Sequence, residues 1–317
     1  MNVLREKLAR RASLHAFIRA FFGARNVLEV ETPVLSAAGN TDPNIQSFCT
    51  QFTGHVDAGP RERWMRTSPE FPLKRLLAAG SGDIYELGRV FRNGEAGGRH
   101  NPEFSMLEWY RVGFDHLQLA DEVVELVREA LALKGREAEV LVVSYRELFR
   151  SELGVDALLD DIGQLQPPLA GFGIDAEGLT RDDWLDLLMT HLLQPRFPRD
   201  RITVVVDYPA SQCALARVRR GDPPVAERFE VYLGPIELAN GYHELNDAAE
   251  QRARFERDTR IRRDRGQHEL PMDEALLAVL DSLPDCAGVA LGVERLMMCL
   301  EDSHAIADVL AFPFDQA

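Results

Sequence analysis

Two stretches of alternating polar and apolar residues, 83–92 (DIYELGRVFR) and 103–112 (EFSMLEWYRV), flank a turn at 98–102 (GRHNP). Alternation with a period of two is typical of strands that turn one face towards a core. A glycine-containing turn between two such strands predicts an antiparallel hairpin. Any fold for this chain must therefore accommodate that hairpin in an antiparallel sheet.

Other periodic segments predict helices and strands on both sides of the hairpin. The predicted elements are an apolar-striped helix at 14–21 that stops near Gly23, a strand at 27–32 closed by Pro33, helices at 71–79, 117–133 and 184–193, a strand at 203–208, a hairpin at 229–239, a charged and solvent-facing helix at 248–265 and a strand-to-helix segment at 290–300. Strands that are adjacent in sequence, with helices around them, predict an α+β fold whose mainly antiparallel sheet is flanked by helices. Because no repeat or linker interrupts the pattern, we expect a single domain over residues 1–317.

The charge balance limits the binding partners. Lys and Arg total 36 against 51 Asp and Glu, which gives a formal net charge of −15. Phosphate contacts dominate nucleic-acid affinity and need a basic surface, so no stable nucleic-acid complex is expected. The N-terminus has no apolar signal core, no run approaches the length of a membrane span, and the four cysteines lack metal-ligand spacing. We expect a cytoplasmic protein that does not enter a membrane.

The predicted hairpin loop, 91–104 (FRNGEAGGRHNPEF), has the composition of a polyphosphate-binding segment. Guanidinium groups pair with phosphate oxygens, and glycine allows close approach of the backbone. Phe104, just past the turn, is suited to stacking against a base. The alternative interpretation is a surface hairpin with solvated charges.

Three glutamates, Glu230, Glu237 and Glu244, recur seven residues apart. An odd spacing alternates faces in a strand, so the repeat alone does not bring them together. A turn signal at 239–243 (ANGYH) predicts that the chain folds back and places Glu237 and Glu244 at one site. Converging carboxylates would hold Mg²⁺ or receive a substrate ammonium. The alternative is that these glutamates face solvent, as most do in an acidic chain.

A third segment, 288–296 (GVALGVERL), changes from a glycine-containing strand to a helix. Arg295 lies in the first helical turn, where the positive helix end would help it to bind a triphosphate. Such turns are common, so this segment alone is weak support. The sequence contains no Ser/His/Asp or Cys/His arrangement and no Walker or Rossmann glycine pattern.

Taken together, these segments resemble the three signature motifs of class II aminoacyl-tRNA synthetases in the correct order. The first helix, strand and Pro33 resemble motif 1, the FRN…RHNPEF hairpin motif 2, and GVALGVERL motif 3. The run HNPEFSMLEWY, with TSPE before it and ELANGYHELND after it, is similar to lysyl-tRNA synthetases. The resemblance covers nearly the whole chain and implies the class II catalytic fold, ATP and Mg²⁺ as cofactors, and an aminoacyl-adenylate intermediate.

The resemblance also implies roles for individual residues, with Arg92 and Arg295 as catalytic cations and Glu230 and Glu237 as Mg²⁺ ligands. The implied ATP-binding residues are Arg92, Asn93, Glu95, Arg99, His100, Asn101, Phe104, Glu237, Leu238, Gly292 and Arg295. The implied substrate-binding residues are Ser68, Pro69, Glu70, Glu108, Tyr110, Asn240, Tyr242, Glu244 and Ala290. Within these sets, Asn101 would contact the adenine edge and Glu70 the substrate amino group. Glu108 and Glu244 would surround a side-chain ammonium.

Three departures narrow the resemblance. Motif 1 begins almost at Met1, so an anticodon-binding domain is not expected. Ala290 stands where lysyl synthetases usually have glycine. Gly94 stands in place of the usual motif 2 glutamate, with Glu95 one position later.

A lysyl-synthetase core of this kind, with ERFEVY and IELANG, resembles the elongation factor P–lysine lysyltransferase family. The resemblance implies a homodimer that activates (R)-β-lysine, or lysine, and transfers it to a lysine side chain of elongation factor P. The alternatives are a minimal enzyme that charges tRNA and a non-catalytic paralogue that binds an amino acid or nucleotide.

Overall fold

A computed structural model describes residues 3–317 of the chain. The strands are β1 (Leu28–Glu29), β2 (Leu35–Ser36), β3 (Cys49–Gln51), β4 (Glu62–Met65), β5 (Ile84–Phe91), β6 (Glu103–Val112), β7 (Glu139–Ser144), β8 (Arg201–Pro209), β9 (Val218–Arg219), β10 (Val225–Leu233), β11 (Ile236–His243) and β12 (Cys286–Gly292). The helices are α1 (Val3–Ala24), α2 (Glu70–Ala78), α3 (His116–Ala132), α4 (Tyr145–Leu153), α5 (Ile162–Leu165), α6 (Arg181–Leu188), α7 (Ala248–Asp264), α8 (Glu274–Leu277) and α9 (Val293–Leu300). Among these residues, none of the helices has the length and apolar character that crossing a bilayer requires.

The chain divides into two compact units. The first unit comprises residues 3–113 and 245–317, and the second comprises residues 114–244. Each contains mainly antiparallel strands together with helices, which confirms the predicted α+β class. The division into two compact units does not test the prediction of a single catalytic domain over residues 1–317, which stays a prediction.

The first unit contains a sheet with the strand order β1-β5-β6-β12. Strands β5 and β6 pair antiparallel from Ile84 opposite Tyr110 to Phe91 opposite Glu103, which confirms the predicted hairpin. Strand β12 continues the antiparallel pattern on β6, whereas β1 is parallel to β5. The strand-to-helix segment is also confirmed, because β12 leads directly into α9.

Helix α1 packs on the face of this sheet that carries the odd-numbered residues of β5 and β6. Its apolar stripe includes Ile18 and Phe22, both fully buried. The Phe22 ring stacks on Tyr85, with ring centroids 4.4 Å apart, and meets Trp109 edge-on at 5.3 Å. Since Tyr85 and Trp109 face α1, the even-numbered residues of the two strands lie on the opposite face.

One prediction for the first unit is wrong and another is right only in part. The strand expected at 27–32 is limited to Leu28–Glu29, because the carbonyl of Thr32 is used by the Arg66 guanidinium instead of a sheet partner. Helix α7 is the predicted charged helix with an exposed face, but its other face is buried, and Arg262 on that face is 1% exposed. Its guanidinium donates to the backbone carbonyls of Asp42 and His268. Burial of this arginine is possible because these carbonyls satisfy its donors.

The second unit contains a sheet with the strand order β11-β10-β8-β7, and β9 also pairs with β10. The predicted strand at 203–208 lies within β8, and the predicted hairpin at 229–239 is formed by β10 and β11. Helix α3 starts with a capping box of Asp115 and Gln118 and packs against β10 and β11. Buried side chains that include Phe149, Trp184 and Val205 form a core with α4, α6 and β8.

A buried ion pair connects three segments of the first unit. The Arg66 guanidinium lies 2.5 Å from the Glu86 carboxylate, and their side chains are only 6% and 4% exposed. Arg66 also donates to the carbonyl of Arg89, while the Thr32 hydroxyl donates to Glu86. Gly88 makes room for this arrangement, because a Cβ there would overlap Nη2 of Arg66 and lie 2.9 Å from Glu86.

We predict that Gly88→Ala lowers the free energy of unfolding by about 3–5 kcal/mol, the cost of disrupting a buried ion pair. The measurement is urea-induced unfolding followed by circular dichroism. Gly23→Ala is the matched control, because no atom lies within 4 Å of its added Cβ and alanine favours helix α1. Equal stability of the two variants would show that Arg66 and Glu86 do not constrain the fold at Gly88.

Candidate active site

Even-numbered residues of β5, β6 and β12 line one face of the sheet in the first unit. In the strand register, Glu86 lies opposite Glu108, and Glu108 lies opposite Ala290. Residues directly opposite each other share a face, and so do residues two apart in a strand. Phe104 and Tyr110 therefore lie on the same face as Glu108. Three of the predicted substrate residues, Glu108, Tyr110 and Ala290, thus share one face of the sheet with Phe104.

Arg92 continues this face just beyond β5, where its backbone N–H donates to the carbonyl of Pro102. Its guanidinium carbon lies 5.3 Å from the centroid of the Phe104 ring. Its Nε donates to the carbonyl of Thr67 at 3.4 Å, and its Nη1 lies 3.9 Å from Glu95. These contacts hold a cation beside an aromatic face, an arrangement suited to a phosphate next to a stacked base.

The hairpin loop explains one departure from the lysyl-synthetase pattern. Gly94 has a φ of +84°, a conformation that a glutamate would adopt only with strain. Glu95, the next residue, keeps a carboxylate near the Arg92 guanidinium. The backbone at Gly94 therefore accounts for the shift of the glutamate by one position.

His100 and Arg295 meet in the first unit, with Nε2 of the imidazole 2.9 Å from Nη2 of the guanidinium. Burial and the neighbouring Arg295 lower the pKa of His100 below its usual value. Arginine can only donate, so Nε2 must accept, which requires the neutral ring. The pair joins the hairpin loop to the first turn of α9.

Glu294, next to Arg295, is a positioning residue that the sequence analysis missed. Its side chain is 1% exposed and lies 2.9 Å from the Arg11 guanidinium. It also accepts a hydrogen bond from the backbone N–H of Ser105, at 2.8 Å. These contacts anchor the start of α9 to α1 and β6, so Arg295 projects from a fixed turn. Glu294 and Arg295 are the two charged residues of the stretch 293–300, and a glutamate in this apolar surrounding was the signal that could have identified it.

Asn101 occupies a different environment from the one expected. Its amide nitrogen donates to the carbonyl of Glu103 at 2.7 Å, and its amide oxygen accepts from the backbone N–H of Phe314 at 3.0 Å. The residue is 8% exposed. A side chain engaged at both ends supports the loop and the C-terminal segment. Each end of the amide retains a second hydrogen-bonding position, so contact with an adenine edge remains a prediction.

Glu108 is the most enclosed of the predicted substrate-binding carboxylates in the first unit. It is 2% exposed, as is Tyr110. One of its oxygens accepts from the Ser68 hydroxyl at 2.6 Å and the other from the Tyr110 hydroxyl at 2.8 Å. The two donors fix the orientation of the carboxylate. A side-chain cation beside it would receive a strong, directed charge interaction.

Glu70 lies at the start of α2, after Ser68 and Pro69. The Ser68 hydroxyl accepts from the Glu70 backbone N–H, so one serine orients both segments. The Glu70 carboxylate accepts from Nζ of buried Lys74 at 2.6 Å, a partner that the sequence analysis did not identify. A cavity of about 440 Å³ is lined by Asn40, Ser68 and Glu70, among others.

In the second unit, a β-bulge replaces the predicted turn. Residues 239–243 belong to strand β11, so the expected turn at ANGYH is wrong. Asn240 lies opposite Glu230 and Ala239 opposite Val231, but the register then shifts so that Glu237 lies opposite Tyr232. Leu238 is the extra residue of the bulge. The bulge thereby places Glu237 on the same face as Glu230 and Asn240, despite the odd spacing.

This face carries a hydrogen-bonded network around Arg228. Its guanidinium donates to Glu230 at 2.6 Å and to Asn240 at 3.1 Å. The Asn240 amide donates to the Tyr242 hydroxyl at 2.9 Å, and the Tyr232 hydroxyl donates to the second oxygen of Glu230. Glu244 is 1% exposed, just past the end of β11. Glu230 and Glu244 are therefore buried, whereas Glu237 is partly exposed.

The chain matches the family model for class II tRNA synthetases (D, K and N) over residues 1–316. It is 47% identical over 314 residues to the elongation factor P–(R)-β-lysine ligase of Yersinia enterocolitica, covering 98% of this chain and 95% of that protein. It is 48% identical over 315 residues to the protein of that name from Vibrio cholerae, covering 98% and 96%. For the Salmonella gallinarum protein of that name, the identity is 45% over 314 residues, covering 98% and 95%. The chain therefore belongs to the class II tRNA synthetase family and, within it, to the family of the elongation factor P–(R)-β-lysine ligases.

Proposed function

We propose that this protein is a ligase that uses ATP to activate (R)-β-lysine and joins it to a lysine side chain of elongation factor P. The relatives carry this activity in their names, at 45–48% identity over 98% of the chain. The observation that carries the proposal is the buried Glu108 carboxylate, held by Ser68 and Tyr110. A buried, oriented anion is suited to the side-chain ammonium of a lysine-like substrate.

The first half-reaction is adenylate formation. A carboxylate oxygen of the amino acid attacks the α-phosphorus of ATP, and the bond to pyrophosphate breaks. Arg92 binds the α-phosphate and the attacking carboxylate and offsets the charge that develops there. Phe104 stacks on adenine, and Arg295 with His100 binds the outer phosphates. Ala290 lies opposite Glu108 in the register, and its methyl group makes the amino-acid pocket narrower than a glycine at this position would.

The second half-reaction forms an amide. The ε-amine of the acceptor lysine attacks the carbonyl carbon of the adenylate, the bond to the AMP phosphate oxygen breaks, and the amine loses a proton. AMP leaves with its phosphate ionised. The chemistry needs no protein nucleophile, in agreement with a site composed of cations, carboxylates and an aromatic ring.

Glu230 and Glu237 are the residues we propose to hold Mg²⁺. Their carboxylates are hard oxygen ligands, which Mg²⁺ prefers, and the bulge places them on one face of the β10–β11 hairpin. Glu230 is paired with Arg228 at 2.6 Å, so Mg²⁺ would have to share this carboxylate with the guanidinium. When bound, Mg²⁺ would neutralise phosphate charge.

We also propose that the protein is a cytoplasmic homodimer. Large apolar side chains remain exposed in the motif 1 segment of the first unit, including Leu8 at 49%, Leu28 at 58% and Leu35 at 50%. Exposed large apolar side chains in this segment are compatible with a surface that a second copy covers.

We predict that Glu108→Gln raises the KM for (R)-β-lysine by about tenfold to a hundredfold, the effect of losing a charge-assisted hydrogen bond. The KM for ATP should change little. Amino-acid-dependent exchange between pyrophosphate and ATP provides the measurement. Glu103→Gln is the matched control, because Glu103 lies on the same strand with its side chain 51% exposed. An unchanged KM for the amino acid in Glu108→Gln would remove the proposed role.

We predict that elongation factor P gains the mass of one lysyl unit when incubated with this protein, ATP, Mg²⁺ and (R)-β-lysine. Intact-mass spectrometry detects the product, and an acceptor-lysine variant of the factor is the control. Lysine and tRNA charging are assayed in parallel. If tRNA is charged and the factor stays unmodified, the proposed acceptor is wrong, but the proposed adenylate formation still stands.

A further inference from the structure

A second group of polar side chains lies in the second unit, on the opposite face of β10 and β11 from Glu230 and Asn240. Arg228 lies opposite Tyr242 in the register, so the neighbouring residues Glu227 and His243 point to the other face. The His243 Nδ1 atom lies 2.6 Å from a Glu227 carboxylate oxygen. This group is therefore separate from the proposed substrate and Mg²⁺ residues.

Helix α3 covers this face and contributes His116, its first residue. The His116 side chain is 3% exposed. Among the residues that the structure describes, its Nδ1 atom has no hydrogen-bond partner, and its Nε2 atom has a long contact of 3.5 Å with Oδ1 of Asp207. A buried imidazole without hydrogen bonds costs free energy unless another group satisfies it. One ligand atom each of His116, Glu227 and His243 lies within 4.8 Å of the other two.

A second carboxylate and one arginine border the three ligand atoms. Asp207 Oδ1 lies 3.5 Å from His116 Nε2, and no protein hydrogen-bond donor is assigned to this buried oxygen within residues 3–317. Asp207 has a φ of +58°, so the chain departs from regular strand geometry where this carboxylate projects. Arg219, 45% exposed, lies 2.8 Å from Asp207 and 3.5 Å from Glu227.

We propose that His116, Glu227 and His243 bind a divalent transition-metal ion of the Zn²⁺ type, with Asp207 as a fourth ligand or as the carboxylate that orients His116. Two imidazoles and a carboxylate are a ligand set that Zn²⁺ favours and Mg²⁺ does not. Tetrahedral Zn²⁺ with bonds of about 2.0–2.1 Å places ligand atoms roughly 3.3 Å apart. Reaching that spacing requires side-chain shifts on the order of 1 Å, within the range of rotamer adjustment.

The charges of the group are compatible with a cation. Two carboxylates and Arg219 give a net charge of −1 with neutral histidines, so a divalent ion would leave +1. Arg219 pairs with both carboxylates, and its exposure allows it to move into solvent. The ion would tie α3 to β10 and β11, directly behind Arg228 and Tyr242.

The test uses the full chain after chelator treatment and dialysis. Zn²⁺ is titrated against a chromogenic chelator in excess Mg²⁺, which occupies the carboxylate site proposed for ATP binding. We expect one Zn²⁺ per chain and a rise in melting temperature. Co²⁺ should give visible absorption bands typical of a tetrahedral site with nitrogen and oxygen ligands. This spectrum is recorded on the wild-type protein, so the result does not depend on whether a variant folds.

Variants assign the site. His116→Gln should abolish stoichiometric binding, and Asp207→Asn should weaken it by about tenfold to a hundredfold, as loss of an orienting carboxylate does. Asparagine tolerates the positive φ at this position. Arg219→Gln should strengthen binding several-fold, because it removes a competing cation.

His191→Gln is the control, because His191 is an exposed histidine of the same unit. Unchanged Zn²⁺ binding in His116→Gln, or the absence of stoichiometric binding by the wild type, would overturn the proposal. In that case, the four side chains would form a hydrogen-bonded group that carries protons only.

Discussion

The buried ion pair between Arg66 and Glu86 is the interaction on which the first unit depends. It joins the segment after β4 to β5, and it draws in the carbonyl of Thr32. Breaking a buried pair leaves an uncompensated charge, so the three segments are fixed together. Glu86 lies in register with Glu108 and Ala290. The ion pair therefore also fixes the strand that lies beside these proposed substrate-binding residues.

The alternation of side chains along β5 and β6 separates the residues that pack on α1 from the proposed site residues. The odd-numbered residues of β5 and β6 pack on α1 through aromatic rings, which leaves Phe104, Glu108 and Tyr110 on the other face. The period-two pattern predicted the two strands and their hairpin, but not which of their faces meets α1. The helix at 14–21 was predicted from apolar residues three and four positions apart, and the segment at 290–300 from a glycine-containing strand that leads into a helix.

The parts that could not be predicted depend on non-local contacts. The β-bulge at Leu238 depends on how β10 pairs with β11, so the sequence of either strand alone does not reveal it. Lys74 and Glu294 are charged residues whose burial follows from partners far along the chain or across a helix turn. The sequence likewise offered no reason to expect that His116 would lie beside His243, because 126 positions separate them in the numbering.

The central claim is that the even-numbered face of the β5–β6 hairpin is where the amino-acid carboxylate meets the α-phosphate, with Arg92 between them. The most direct test is the single-turnover rate of adenylate formation in Arg92→Ala, with Arg63→Ala, a partly exposed arginine of β4, as the control. Loss of a preorganised charge at the reacting centre predicts a fall of about 10²–10³ in that rate for Arg92→Ala only. A normal rate in Arg92→Ala would contradict the account.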